Sequence, residues 1–335
     1  MTLLSSAKLL EVPVTNVRRR LLTAVLLCAA AFGSDSGSER RAAAQVNAPL
    51  ADGWLSGAID VHVHSIPDSE TWRVDSLDVA RLAKARGMRG LVLKSHWTST
   101  AMLAYIVRKE VPGLEVFGGI GLSRATGGVN AAAVEEMAKV TGGVGRVVWM
   151  PTLESEHGAR QSGRPFIPIA RDGALLPEVK DVIGVIAKHN LVLATGHSSA
   201  EEDLLLVREG QRQGAQHMVI THAMSRPILM TVPQMQEAAK LGAFIEIVYV
   251  HSLTIPELKR TAAYSLADVA AVVRSVGPRS IILSTDMGQV GIPLPPDGLA
   301  AFAEGLHAQG ISEADLKVML KDNPARLLGL PVNPS

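Results

Sequence analysis

Short apolar runs rich in β-branched residues recur along most of the chain, and eight of them follow residue 57. They are nearly continuous rather than alternating, which is typical of strands in a parallel sheet that helices cover. The pattern therefore predicts eight buried parallel strands. The runs span residues 58–64, 90–96, 115–122, 146–152, 191–197, 217–222, 244–250 and 280–286.

Amphipathic segments lie between these runs, and several end in glycine, as helices often do. Eight strand–helix units predict a single α/β domain, a (β/α)8 TIM barrel over residues 58–330. A doubly wound open sheet is the alternative, but no GxGxxG motif follows the first strand. The Gly- and Pro-containing stretch 153–176 is predicted to be a loop over the top of the barrel. The helical segments are 76–87, 131–140, 177–189, 201–214, 232–242 and 265–277.

The first 44 residues have the pattern of an export signal and leader, with residues 45–57 leading into the barrel and 331–335 forming a tail. Arg18–Arg20 precede an uncharged run at 21–32, which is too short to span a bilayer, where about 20 residues are needed. The arginine cluster resembles a twin-arginine signal. Cleavage after Ala31 or Ala44 would place the protein in the periplasm or outside the cell. The alternative is an unprocessed N-terminal tail.

The overall composition excludes several classes of protein. With 47% hydrophobic residues, a formal net charge of +1 and one cysteine, the chain is neither disordered nor disulfide-built. It carries no basic excess for nucleic acid. Cys28 follows Leu27 where a lipoprotein signal requires a small residue, so no stable membrane anchor is expected. A small-molecule substrate is the expected partner, and a homo-oligomer remains open.

Six of the ten histidines fall at the C-terminal ends of predicted strands, where TIM barrels place their active sites. Asp286 ends the eighth strand, and Lys94 lies near the end of the second. His189, His217 and His307 lie elsewhere and are expected to be structural. The six clustered histidines are His62, His64, His96, His197, His222 and His251.

His62 and His64 are two residues apart on one strand, so their side chains point the same way. Two imidazoles so placed can hold one ion at about 2.0–2.1 Å. An HxH pair alone is weak evidence. Together with His197, His222 and Asp286 at other strand ends, it predicts a site for one or two divalent ions, with zinc expected and manganese as the alternative.

This constellation resembles the amidohydrolase superfamily of metal-dependent hydrolases. The resemblance covers about residues 58–330 and includes the NPARLLGL ending at 323–330. The runs IDVHVHSIPDS, LVLKSH and VVWMPT are also similar to a little-characterised branch of that superfamily. That closer similarity does not identify a substrate.

The resemblance implies a role for each candidate ligand. His62, His64 and Asp286 would bind the first ion. His197 and His222 would bind the second. Asp286 would also take a proton from the attacking water, and a bound divalent ion lowers the pKa of such a water towards about 7.

Lys94 departs from the superfamily pattern. Many binuclear members carry a carboxylated lysine at the end of strand 4, but that strand here ends in VWMPT. Lys94 is therefore either a carboxylated bridging ligand from strand 2, a cation that orients substrate, or a partner of a metal ligand. Glu154 and Glu156, just past strand 4, are further candidates for a bridge.

Three further residues are predicted to bind substrate: His96, Arg73 and His251. Metal binding is the alternative for His96. Arg73 and Trp72 follow strand 1 and suit an anionic or planar group, although a solvated loop is the alternative. Glu246 lies within strand 7, where it either accepts a hydrogen bond behind the site or faces a helix.

These residues favour a metal-dependent hydrolase (EC 3) that cleaves an amide, a lactone or other ester, or a phosphoester. The second hypothesis is a metal-dependent non-oxidative decarboxylase (EC 4) with one ion and no carboxylated lysine. A binding protein without chemistry is the third. A purine aminohydrolase is disfavoured because His197-Ser198-Ser199-Ala200 lacks the H-x-x-E spacing.

Overall fold

The computed structural model describes residues 52–160 and 163–332, and its main feature is one eight-stranded parallel sheet rolled into a barrel. The predicted signal, its cleavage sites and Cys28 lie outside the described residues. The eight barrel strands pair with their neighbours in chain order. The predicted (β/α)8 fold is confirmed. The barrel strands are β1 (Ile59–Val63), β2 (Gly90–Leu93), β3 (Glu115–Gly121), β4 (Gly145–Trp149), β7 (Val192–Ala194), β8 (His217–Ile220), β9 (Ala243–Val248) and β10 (Ile281–Ser284).

The barrel closes between its first and last strands near their C-terminal ends. The backbone N–H of His64 donates to the carbonyl of Met287 (2.9 Å), and the N–H of Asp286 donates to the carbonyl of His62 (2.9 Å). The buried Asp60 carboxylate accepts hydrogen bonds from the backbone N–H and the hydroxyl of Thr285 (3.1 and 2.6 Å). The closure thus brings the end of β1 against the residues that follow β10.

Helices cover the outside of the barrel, and the six predicted segments are all helical. Apolar faces of these helices pack on the outward-facing strand residues. Of the helices in the described part of the chain, none has the length and apolarity needed to cross a membrane. The helices are α1 (Ser76–Ala85), α2 (Ala101–Glu110), α3 (Ala131–Ala138), α4 (Glu156–Arg160), α5 (Pro177–Lys188), α6 (Ala200–Gln213), α7 (Val232–Lys240), α8 (Leu266–Val276), α9 (Pro295–Ala308), α10 (Glu313–Lys317) and α11 (Asn323–Leu327).

The interior of the barrel forms its own apolar layer at the end opposite the histidines. Ile59, Val92 and Ile282 point inward there, and Leu327 and Leu328 from α11 and its end pack against this layer. The NPARLLGL segment therefore covers the base of the barrel. The opposite end remains available for polar residues.

The expectation that 153–176 forms only a loop is wrong. This stretch contains α4 and a short hairpin, β5 (Ala170–Arg171) paired with β6 (Ala174–Leu175). The N–H of Ile167 also donates to the carbonyl of Glu154 (2.8 Å). The physical reason is that a long connection must satisfy its own backbone hydrogen bonds, and local helix and hairpin formation does so.

Candidate metal centre

The C-terminal ends of five strands bring the six predicted histidines together. His62 and His64 lie at the end of β1, and each is at most 1% exposed. The others follow β2, β7, β8 and β9 and converge on the same space. A sheet that keeps its strands parallel places residues distant in sequence at one rim.

His62, His64 and Asp286 form the tightest group in this cluster. Asp286 Oδ1 lies 2.9 Å from His62 Nε2 and 3.1 Å from His64 Nε2. One ligand atom from each residue falls within 4.8 Å of the other two, as a metal site requires. These are the three residues that the resemblance assigned to the first ion.

Glu246 holds the ring of His62 from behind. Its Oε1 lies 3.1 Å from His62 Nδ1 and accepts from the Ser284 hydroxyl (2.7 Å), while its Oε2 accepts from the backbone N–H of His222 (3.0 Å). Of the two alternatives for this residue, the buried acceptor is therefore the one observed. A carboxylate on Nδ1 leaves Nε2 of the same ring to act as a ligand.

The electrostatics of the group follow from its burial. Burial alone lowers the pKa of His62, but the carboxylates of Asp286 and Glu246 raise it to about 9. For His64, burial dominates and lowers the pKa to about 4. Burial raises the pKa of Asp286, yet His62 and His64 hold it well below its usual range. Asp286 is therefore ionised at neutral pH.

Lys94 extends from β2 into the centre of the cluster. It is 2% exposed, and its Nζ lies 2.8 Å from His62 Nε2 and 5.7 Å from the centre of the Trp149 ring. Burial lowers the pKa of Lys94, although Asp286 and Glu246 oppose this shift. The burial increases the fraction of neutral amine at a given pH.

The remaining histidines continue from this group as a chain of rings. His197 and His222 have ring centroids 4.8 Å apart, and His222 lies 6.1 Å from His62. His96 lies 4.9 Å from His64, and its Nδ1 is 3.0 Å from the hydroxyl of Thr152. His251 lies 5.2 Å from His222 and has its Nε2 3.8 Å from Asp286 Oδ2.

Several imidazole nitrogens in this cluster are buried without a hydrogen-bond partner among the described residues. They are His64 Nδ1, His197 Nε2, His222 Nδ1 and His251 Nδ1. Unpartnered buried polar atoms are costly, and metal coordination is one way to satisfy them. Burial also lowers the pKa of His197 and His222 well below its ordinary value, which keeps these rings neutral and able to bind a cation. The donor set therefore fits a divalent metal.

Two residues of the cluster have backbones in the left-handed region. His222 has a φ of 29° and Asp286 a φ of 52°. Non-glycine residues rarely adopt such angles, and those that do are concentrated at functional sites. Both residues turn the chain directly after a strand, which directs their side chains inward.

Three other candidates have different partners. Arg73 is exposed, its guanidinium donates to the carbonyl of Ile292, and the described residues show no contact from it to the histidines. Glu154 accepts from Arg124, and Glu156 pairs with Arg160, so neither is placed as a bridging ligand.

The histidines outside the cluster have contacts of an ordinary structural kind. His189 lies 2.9 Å from a carboxylate oxygen of Glu135, and His307 lies near the carbonyl of Ile311. His217 begins β8, at the opposite end of the barrel.

Trp72 stacks on His64 with ring centroids 4.3 Å apart, so it lies against the cluster rather than in a solvated loop. Sequence reasoning missed one contributor near the cluster. Asp60 accepts a hydrogen bond from the N–H of His62 (3.1 Å) and another from the hydroxyl of Thr285, so it joins the first barrel strand to the last. Its two-residue spacing from His62 was the available signal, because alternate strand residues share a face.

Comparisons with solved structures reveal the same fold at low sequence identity. An amidohydrolase from Pseudomonas aeruginosa has 14% identity and a TM-score of 0.58, over 84% of this chain and 98% of that one. A putative 2-pyrone-4,6-dicarboxylic acid hydrolase from Pseudomonas putida has 16% identity and a TM-score of 0.55, over 83% and 99%. An amidohydrolase from Burkholderia multivorans with bound zinc has 13% identity and a TM-score of 0.56, over 82% and 99%. The predicted similarity to amidohydrolases is thus confirmed for the fold.

The sequence comparisons identify one family and no curated relative. No curated protein matches the chain. A family model with the description "Family of unknown function (DUF6282)" matches residues 57–246, which include both strand-1 histidines, Lys94, His197 and His222. Because this match spans more than half of the chain, the protein belongs to the DUF6282 family.

Proposed function

We propose that the protein is a metal-dependent hydrolase of the amidohydrolase type, which cleaves an amide, a lactone or other ester, or a phosphoester. The observation that carries the proposal is the convergence of His62, His64 and Asp286 beside buried, unpartnered imidazole nitrogens. Fold similarity to amidohydrolases supports it, but a fold alone does not assign chemistry.

The first ion would be held by His62, His64 and Asp286, and a second by His197 and His222. Zinc suits this set because it prefers nitrogen and carboxylate donors, and manganese is the alternative. When bound, a divalent ion would activate water as the nucleophile at neutral pH and polarise the bond to be cleaved.

Asp286 would act as the proton shuttle. It is ionised at neutral pH, and its Oδ2 lies on the His251 side while Oδ1 contacts His62 and His64, so Oδ2 can accept a proton from a water and pass it to the leaving group. His251 lies beside this carboxylate and His96 lies beside His64, and both would contact the substrate.

Lys94 would bridge two ions as a carbamate. Its neutral amine adds CO2 and releases one proton, which gives an anionic oxygen ligand. The central position of Nζ and the lowered pKa of Lys94 support this role.

A decarboxylase with one ion is the second candidate. Among the described residues, only His62, His64 and Asp286 bring three ligand atoms within 4.8 Å of one another, which favours a single ion. In that case Lys94 would remain an amine and contact the substrate.

The N-terminal pattern supports export of the protein to the periplasm or beyond. This proposal rests on the sequence of residues 1–44 alone.

The test is metal content per chain, measured by plasma mass spectrometry on the purified protein, on Lys94→Ala and on the exposed control Lys240→Ala. Two metals in the wild type and the control, with one or none in Lys94→Ala, would support the bridged hydrolase. One metal in all three would favour the mononuclear site. No metal after reconstitution with zinc or manganese would refute the proposal.

A further inference from the structure

A cavity of about 600 Å³ opens directly beside the histidine cluster. It lies between the segments that follow β8 and β9, and His251 is part of its wall. His251 also approaches Asp286 and His222, so the cavity and the candidate metal centre share this residue. Its volume is within the range of small-molecule sites.

Two arginines line this cavity. Arg226 follows β8 and is exposed, whereas Arg260 follows β9 and is half-buried. Within residues 52–160 and 163–332, neither guanidinium forms a hydrogen bond or an ion pair. By contrast, Arg124 pairs with the carboxylate of Glu154. The two guanidinium groups therefore face the cavity without a direct protein partner among the described residues.

The charge of Arg260 indicates that the cavity suits an anion. Burial lowers the pKa of Arg260, and the nearby charge of Asp286 opposes this shift. Arginine nonetheless stays protonated in proteins, so a partly desolvated positive charge remains without a direct partner. An anion in the cavity would supply that partner.

We propose that Arg226 and Arg260 bind an anionic group, a carboxylate or a phosphate, on the substrate whose scissile bond lies at Asp286. Two guanidinium groups offer paired donors that match the oxygens of either anion. Leu229, Ala262 and Ala263 add small apolar surface to the same wall, which suits a short carbon chain between the anion and the reacting bond. The inference rests on the proposed function, and it moves the anion-binding role from Arg73 to these two residues.

The experiment is isothermal titration calorimetry of the full chain with two probes, succinate and inorganic phosphate. Three proteins are compared: wild type, the double variant Arg226→Gln/Arg260→Gln, and the control Arg279→Gln, an exposed arginine near the base of the barrel. Each is measured with zinc and without metal, and zinc content is determined in parallel.

We expect at least one probe to bind the wild type and the control, and to bind the double variant about tenfold more weakly or worse, since hydrogen bonds to charged groups contribute substantially. The probe with the larger loss identifies the anion. Equal affinity in all three proteins, or no binding of either probe to the wild type, would overturn the inference. Unchanged zinc content in the double variant would show that its metal site is intact.

The two proposals fail separately in this design. If anion binding depends on the arginines but no metal binds, the anion site stands and the hydrolase proposal falls. If zinc binds but the arginines have no effect on either probe, the hydrolase proposal stands and the anion site falls.

Discussion

At the scale of single residues, acidic side chains behind the histidines organise the site. Glu246 fixes His62 through Nδ1, and Asp286 joins His62 to His64. The two-residue spacing of His62 and His64 was readable from the sequence, and so was Asp286 at a strand end. The sequence did not show which of the two alternatives applies to Glu246, because a residue in the middle of a strand faces either the barrel interior or a helix.

We expect Glu246→Gln to weaken zinc binding by about ten- to a hundredfold, since the partner that orients a ligand and raises its basicity is replaced by a neutral amide. Competition with a chelator measures the affinity. Glu115→Gln, at the start of β3 where Glu115 pairs with Arg89, is the matched control and should bind zinc like the wild type. Equal affinity in both variants would contradict the role given to Glu246.

The buried carboxylate of Asp60, where the first and last barrel strands meet, should make stability depend on pH. Burial raises the pKa of Asp60 to about 7, against the hydrogen bonds from Thr285 that lower it. Between about pH 4 and 7 the folded state therefore keeps a proton that the unfolded chain has lost. The stability that Asp60 contributes is full below this range and is lost as the pH rises through it, by up to about 1.4 kcal/mol per pH unit.

Asp60→Asn should remove this dependence. Urea unfolding at several pH values would measure the free energies of unfolding of the wild type and the variant. The wild-type value minus the variant value should fall as the pH increases from 4 to 7. A difference that stays constant over this range would contradict the assignment.

At the scale of elements, strand β3 shows how close packing fixes the barrel wall. A Cβ on Gly119 would overlap the carbonyl oxygen of Val147 and the ring of Trp149 on β4. The run of apolar residues predicted this strand, but the close approach of β4 depends on tertiary packing. The same holds for 153–176, where polar composition indicated a loop although local backbone pairing forms a helix and a hairpin.

We expect Gly119→Ala to lower the free energy of unfolding by about 2 kcal/mol or more, because the overlapping oxygen belongs to the backbone and cannot rotate away. Gly53→Ala is the control, since a Cβ there meets nothing within 4 Å. Chemical denaturation of both variants tests this. Equal stability of the two would show that β3 and β4 separate readily.

At the scale of the whole molecule, the two ends of the barrel are built for different purposes. The base is an apolar layer closed by α11, and the top carries the buried polar cluster. Asn323 anchors α11 by donating to the carbonyls of Pro278 and Ile281 (2.8 and 2.7 Å). This division lets stability come from one end while the other end bears unpartnered polar atoms.

Leu327→Ala should therefore destabilise the protein by about 2–5 kcal/mol, since it leaves a cavity in the layer at the base. Met102→Ala, at a side chain that is 70% exposed, should change stability little. Thermal unfolding of both variants measures the difference. A Leu327→Ala variant as stable as the control would mean that α11 does not close the barrel.

Strand and helix periods and strand-end positions are local properties of the chain, so they were enough to predict the barrel and most of the candidate ligands. The remaining features depend on the folded arrangement. It placed Lys94 against His62 and Glu246 behind it, and it brought Arg226 and Arg260 to one cavity. Those contacts join segments far apart in sequence, and their geometry depends on how the strands close and where the loops lie, which no local period encodes.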